Sequence, residues 1–171
     1  MSSSPEDGKG HVSELQRNLE IVREIPYFEG FPTEVLKLLA YLFEQGRYQA
    51  GDVLIERGDD PGLAFFILSG SVGVYLEVEG KEKLLRTYGV KEFLGAFSLI
   101  GSMPSLFTLK VEEPSEMLIL TREQFLTIRE KHPKLAPLLR KAMLKQLRLW
   151  EQRNLEELDL CCLQKVGVTL L

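Results

Sequence analysis

The chain has 171 residues, 44% of them hydrophobic and 27% charged, which is ordinary globular composition and enough length for one domain with a proper core. With 21 Lys plus Arg against 25 Asp plus Glu, the net charge of −4 gives no general reason to expect nucleic acid or an anionic membrane as partner. The opening ten residues are polar, and no apolar run approaches the roughly 20 residues of a membrane span, so a cytoplasmic protein is expected.

Residues 1–10 combine Ser, Gly and charge without apolar content and read as a disordered lead. Val12, Leu15, Leu19 and Val22 then recur at three- and four-residue spacing and predict a helix over 11–24, ended by Ile25-Pro26. A second helix is expected from about Pro32 to Glu44, with Pro near its first position and Val35, Leu36, Leu39, Leu42 and Phe43 as its apolar side.

From Gly46 the pattern changes to short apolar runs cut by turn residues, as in a sandwich or barrel. Strands are predicted over 45–49, 53–56, 63–68, 71–78, 82–87, 105–111 and 116–120, roughly eight in all once the stretch near Phe93 is included. Ser69-Gly70 reads as a hairpin turn. Along the strand after it, Val72, Val74, Leu76 and Val78 alternate with Ser71, Gly73, Tyr75 and Glu77, which gives one core face and one partly wet face. Between Phe93 and Val111 lies a Gly-bounded, small-residue turn of the kind that can aim several backbone N–H groups at one spot.

Thr121-Arg122-Glu123-Gln124 has the form of a capping box and starts a helix running to about Lys131, where His132-Pro133 breaks it. A long helix is expected over 134–160, Pro137 being tolerable in its first turn. Leu135, Leu139, Met143, Leu147, Trp150 and Leu158 form its apolar stripe. Residues 161–171 form a tail without readable pattern. Cys161 and Cys162 are adjacent, which is awkward for a disulfide between them and gives no metal-ligand spacing, so reduced thiols are expected.

Four segments resemble the cyclic-nucleotide-binding domain family: Ala50-Gly51-Asp52-Val53-Leu54-Ile55 with Gly58-Asp59, Phe65 to Val72, Phe93-Leu94-Gly95, and Leu120-Thr121-Arg122-Glu123-Gln124-Phe125. The similarity covers about Ile25 to Arg148. It implies a mainly β fold, an eight-stranded β-jelly-roll (double-stranded β-helix) with N-terminal helices and a long C-terminal helix, the roll and its following helix occupying 25–133.

In that family a phosphate-binding cassette, matching Gly95 to Phe107 here, holds the nucleotide. Helix N-terminal N–H groups favour the anion, an Arg neutralises the cyclic phosphate and a Glu accepts from the ribose hydroxyl. This sequence keeps Gly95 and Pro104 but has Ala96 where the Glu would fall and Ser105 where the Arg would fall. Leu106 and Phe107 stand where the family has small residues. The resemblance therefore implies a degenerate pocket built from Gly95, Ala96, Phe97, Ser98, Pro104, Ser105, Leu106 and Phe107. If 105–111 is a strand, Ser105 and Phe107 share a face. Phe107 then either plugs the barrel or, with Ala96, Phe97 and Leu106, lines an apolar pocket for an uncharged ligand. Arg86 is a candidate substitute cation; Lys110 falls on the opposite face from Ser105.

His11 and His132 are the only histidines, too few for a jelly-roll metal enzyme, and no nucleophile elbow or Walker-type loop is present. Glu112-Glu113-Pro114 reads as a solvated turn. No catalytic residue, metal or cofactor is expected, cAMP or cGMP entering only if the chain is a working receptor. DNA is not expected as a partner, because only about twenty residues follow Trp150, too few for the helix-turn-helix domain of the family's transcription regulators. Arg140, Lys141, Lys145, Arg148 and Arg153 are balanced by Glu151, Glu156 and Glu157. The last helix is the expected contact for a homodimer or partner protein, through Leu139, Met143, Leu147 and Trp150 with Asn154 as a polar register position. The sequence thus points to a non-catalytic regulatory or interaction module without normal cAMP or cGMP binding. A receptor using backbone amides and a substitute cation, and an apolar small-molecule-binding barrel, are the alternatives.

Overall fold

The computed structural model describes the backbone of residues 7–157, with side chains from 14 to 152. Helix α1 (Asp7–Glu24) begins inside the stretch expected to be a disordered lead. A 3-10 turn at Pro26–Phe28 leads to α2 (Thr33–Leu42), for which Pro32 is the N-cap. Burial follows the helical spacing: Val22 on α1 and Val35, Leu36 and Leu39 on α2 are buried. Asn18, also buried, has its Nδ2 donating to the Ala40 carbonyl at 3.4 Å, which ties the two helices together.

Six antiparallel strands follow: β1 (Glu44–Tyr48), β2 (Val53–Ile55), β3 (Leu63–Val78), β4 (Lys81–Tyr88), β5 (Phe93–Leu94) and β6 (Thr108–Thr121). The expected hairpin at Ser69-Gly70 is absent. β3 runs straight through it for 16 residues, and β6 likewise runs through Pro114. The register between them shifts repeatedly from Ile67 to Val72, so the pair bends rather than reverses. A turn glycine inside a strand pattern marks a bulge as readily as a hairpin. Cutting β3 at Gly70 and β6 at Pro114 recovers the expected eight segments, and the antiparallel sheet with flanking helices is that of a jelly roll whose sheet does not close.

The bent β3–β6 ribbon carries β1 and β5 at one end and β2 and β4 at the other. Strand alternation splits its side chains between two cores. Ala64, Phe66, Leu118 and Leu120 face the helices, joining Val22, Val35, Leu39, Phe125, Leu135 and Leu139. Phe65, Ile67, Val72, Val74, Leu109, Val111 and Met117 fill the inside of the roll.

α3 (Arg122–Lys131) begins with the predicted capping box: the Thr121 Oγ accepts from Gln124 N at 3.2 Å, while Gln124 Oε1 accepts from Thr121 N at 3.0 Å. α4 (Leu135–Glu157) buries Leu135, Leu139 and Ala142 in the helical core and then leaves it; Leu144, Leu147, Leu149 and Trp150 are exposed. No helix among the described residues is long and apolar enough to cross a membrane, and no His, Cys, Asp and Glu group there could hold a metal ion. Cys161, Cys162 and the 161–171 tail lie outside the described residues.

The bend rests on Gly70, whose φ is +82° and whose missing Cβ would collide with Ser115 Oγ and the Pro114 carbonyl. Ser115 Oγ cannot simply give way, because it accepts from Ser71 N and donates to the Glu113 carbonyl. Gly70→Ala should therefore lower unfolding stability by about 1–3 kcal/mol or more, seen as a lower urea midpoint, whereas Gly80→Ala, at a similar φ in open space, should cost less.

Candidate functional site: a cavity over the Gly95 turn

β5 ends at Leu94, and Gly95, at φ +79°, turns the chain into a 3-10 turn, Ala96–Leu99. A Cβ at Gly95 would strike the Leu63 carbonyl, so this close approach of two backbones requires glycine. The loop that follows returns to β6 at Thr108. Ser105 is therefore in a loop and not on the strand predicted over 105–111. Its N–H donates to the Asp59 carbonyl and its own carbonyl accepts from Gly58 N, both at 2.8 Å. Its hydroxyl donates to the Phe107 carbonyl at 2.6 Å and accepts from Phe107 N at 3.3 Å. These bonds bend the chain at the point where strand alternation had been expected.

A cavity of about 500 Å³ lies over this turn, within the roughly 300–1,000 Å³ usual for small-molecule sites. It brings together seven of the eight expected residues: Gly95, Phe97, Ser98, Pro104, Ser105, Leu106 and Phe107. Ala96 is buried and lines an adjoining cleft of about 410 Å³. Phe107 does not plug the roll. It is 37% exposed and Leu106 71% exposed, both on the cavity wall, while Phe65, Ile67 and Met117 fill the interior.

Several wall residues were not foreseen. Leu85 and Tyr88 come from β4, Met103 from the loop, and Trp150 from α4. Trp150 had been assigned to a dimer seam by its helical spacing, which cannot tell a partner helix from a cavity roof. Of the other seam residues, Leu139 is buried in the chain's own core, Met143 packs half-buried against it, and Leu147 is exposed. Asn154 lies on α4, its side chain outside the described residues.

Arg86 is on the cavity wall and is the only charged residue among those described there. The pairing of β4 with β3 sets it opposite Val74, whose side chain is buried inside the roll, so both point inward. Its guanidinium lies 5.4 Å from the centre of the Tyr88 ring and has no ion pair among the described residues. Lys110 is held outside: its Nζ pairs with Glu82 at 2.6 Å and lies over Tyr75.

A second arginine fixes the cavity's loops. Arg122, the first residue of α3, forms a two-pronged ion pair with Asp60, Nη1 to Oδ2 at 2.8 Å and Nη2 to Oδ1, and its Nε donates to the Ser98 carbonyl. Ser102 Oγ donates to the same carboxylate at 2.6 Å. Arg122 stands in a segment that carried the resemblance and Asp60 directly follows another, but nothing in the sequence spacing pairs them.

The family model described as "Cyclic nucleotide-binding domain" matches residues 45–132, just over half of the chain. The chain belongs to the cyclic-nucleotide-binding domain family. It is 28% identical over 148 residues to the cAMP-dependent protein kinase type II regulatory subunit of Drosophila melanogaster, covering 82% of this chain and 38% of that one. It is 24% identical over 110 residues to the potassium channel KOR1 of rice, covering 64% of this chain and 13% of the channel. The chain thus spans less than half the length of either relative. A cyclic-nucleotide-binding domain of Methylobacillus flagellatus has the same fold, with a TM-score of 0.71 at 21% identity, covering 93% of this chain and 88% of that one. Domains of this family are regulatory parts of kinases, channels and transcription factors.

Arg122 and Ser102 hold the Asp60 carboxyl well below the usual carboxylate range. A depressed folded-state pKa gives stability that is complete above the unfolded value of roughly 4 and lost as pH falls below it. The urea midpoint of the unaltered protein should exceed that of Asp60→Asn by a constant margin from about pH 5 to 7, and the margin should shrink steadily below about pH 4.

Proposed function

We propose that this chain is a non-catalytic regulatory domain that keeps the family's fold and cavity and has replaced the groups that hold a cyclic nucleotide. The observation that carries this reading is Ser105. It stands where the family's phosphate-binding Arg would fall, and its hydroxyl, N–H and carbonyl are all bonded within the loops. Ala96, in place of the ribose-binding Glu, is buried and has no hydrogen-bonding side chain. A hydrogen bond to a charged group contributes about 1.5–3 kcal/mol, so loss of the Arg alone weakens cyclic-nucleotide binding by roughly ten- to more than a hundredfold.

The void over Gly95 with Arg86 on its wall favours a second reading, a working receptor in which Arg86 substitutes for the missing cation. Calorimetric titration with cyclic AMP and cyclic GMP separates the two. The unaltered protein should give no micromolar binding to either nucleotide. Ala96→Glu with Ser105→Arg and Phe107→Ala should create it. Micromolar binding by the unaltered protein would establish the receptor instead.

The output of such a domain would leave through α4, where Leu144, Leu147, Leu149 and Trp150 stay exposed beyond the buried Leu135, Leu139 and Ala142. We assign that exposed half to a contact with a second copy in the cytoplasm. Sedimentation velocity should show a concentration-dependent dimer, and Leu144→Glu should shift it to monomer; a monomer at all concentrations would refute the assignment.

A further inference from the structure

The cavity over Gly95 and the cleft beside it share Arg86, Tyr88, Phe97 and Trp150 in their walls, so they are two lobes meeting at one cation. We propose that this joint site binds an amphipathic monoanion: a small molecule with one carboxylate on the Arg86 guanidinium and an apolar body in the cavity under the Gly95 turn. The proposal rests on the reading that the cyclic-nucleotide anchors are gone, and it names what takes their place.

The charge count selects the head group. Arg86 is half-buried, points inward opposite Val74, and among the described residues has only the face of Tyr88 for a partner. The other cation of the joint site, Lys91, is engaged with Glu24 at 3.1 Å. Glu92, also in the cleft, accepts from Gly89 N at 2.9 Å and adds a negative charge that disfavours a dianion. One unpaired guanidinium beside one carboxylate suits a single negative charge. An uncharged ligand that sealed the site would leave the guanidinium desolvated and unpaired, and a cationic one would meet it directly.

The walls select the body. Away from Arg86 the cavity is faced by Leu85, Met103, Leu106, Phe107 and Leu109, with Phe97 and Trp150 at the junction. Hydrocarbon or an aromatic ring removes that surface from water, whereas a ribose would set most of its hydroxyls against apolar side chains, the Ser105 hydroxyl on the wall being already bonded to Phe107. The loop that holds Met103, Leu106 and Phe107 is tied through Ser102 to the Arg122–Asp60 pair, so the cavity exists before a ligand enters.

Trp150 is the chain's only tryptophan and stands at this junction, so its fluorescence reports occupancy without a label. Titration with sodium decanoate should give a saturable change, and decan-1-ol should bind about ten- to a hundredfold more weakly. Arg86→Gln should lower decanoate affinity by a similar factor and leave decan-1-ol unaffected; Arg86→Lys should restore part of the loss. Lys83→Gln, an exposed cation on the same strand, should change neither, and circular dichroism should show all variants folded. Equal affinity for acid and alcohol, or an unchanged decanoate affinity in Arg86→Gln, would overturn the proposal while cyclic AMP stays silent. Micromolar binding of cyclic AMP that displaces decanoate would instead overturn the reading beneath it, and this proposal with it.

Discussion

One guanidinium holds the site together. Arg122 is simultaneously the first residue of α3, the partner of Asp60 in the loop between β2 and β3, and the donor to Ser98 in the turn after Gly95. The cavity wall from Gly95 to Phe107 has little regular structure, so it cannot hold its shape through a ladder of backbone bonds. It is fixed instead at three places: the Gly95 backbone against Leu63, the Ser105 backbone against Gly58 and Asp59, and the Arg122 side chain between them. A cation at a helix N-terminus opposes the helix dipole, and the Asp60 carboxylate on Arg122 cancels that cost while closing the loop. The start of α3, the entrance to β3 and the cavity are therefore one mechanical unit.

Local grammar made much of this fold legible. The capping box at Thr121 and Gln124, the helical spacing on α2 and the break at His132-Pro133 depend on neighbours within a few residues, and the structure agrees with each. Long-range bonds decided what could not be read. Gly70 looks alike in a hairpin and in a bulge, and only the Ser71–Ser115 contact across the ribbon chooses the bulge. Ser105 has strand-like neighbours, but its backbone is claimed by residues almost fifty positions earlier.

The candidate site was legible as a location more than as a chemistry. Its glycine and proline lie on the cavity wall, and seven of the eight expected residues meet there. Hydrophobicity alone could not say that Phe107 is wall and Phe65 is core, since both are phenylalanines near strand segments. Arg86 could be named as a cation but not as an unpaired one, because pairing is a statement about every other charge within reach. Trp150 shows a related ambiguity: α4 carries one apolar stripe, its first half buried in the helical core beside the Pro26–Phe28 turn and its second half reaching the cavity.

That division of α4 bears on how occupancy could be transmitted. A ligand shifts a conformational equilibrium only through contacts that differ between the states. Leu135, Leu139 and Ala142 lock the start of the helix into the helical core whatever the cavity holds. Among the described residues, α4 contributes only Trp150 to the cavity over Gly95, at 53% exposure, on the half of the helix that the core does not grip. A molecule seated on Arg86 would bury the indole it touches and leave the locked half unchanged. The ring of Trp150 belongs to both the cavity and the exposed end of the helix, and Gln146 and Leu149 of the same helix line the adjoining cleft. Arg86 and Trp150, drawn from β4 and α4, thus bring the roll and the exposed half of the helix to one cavity.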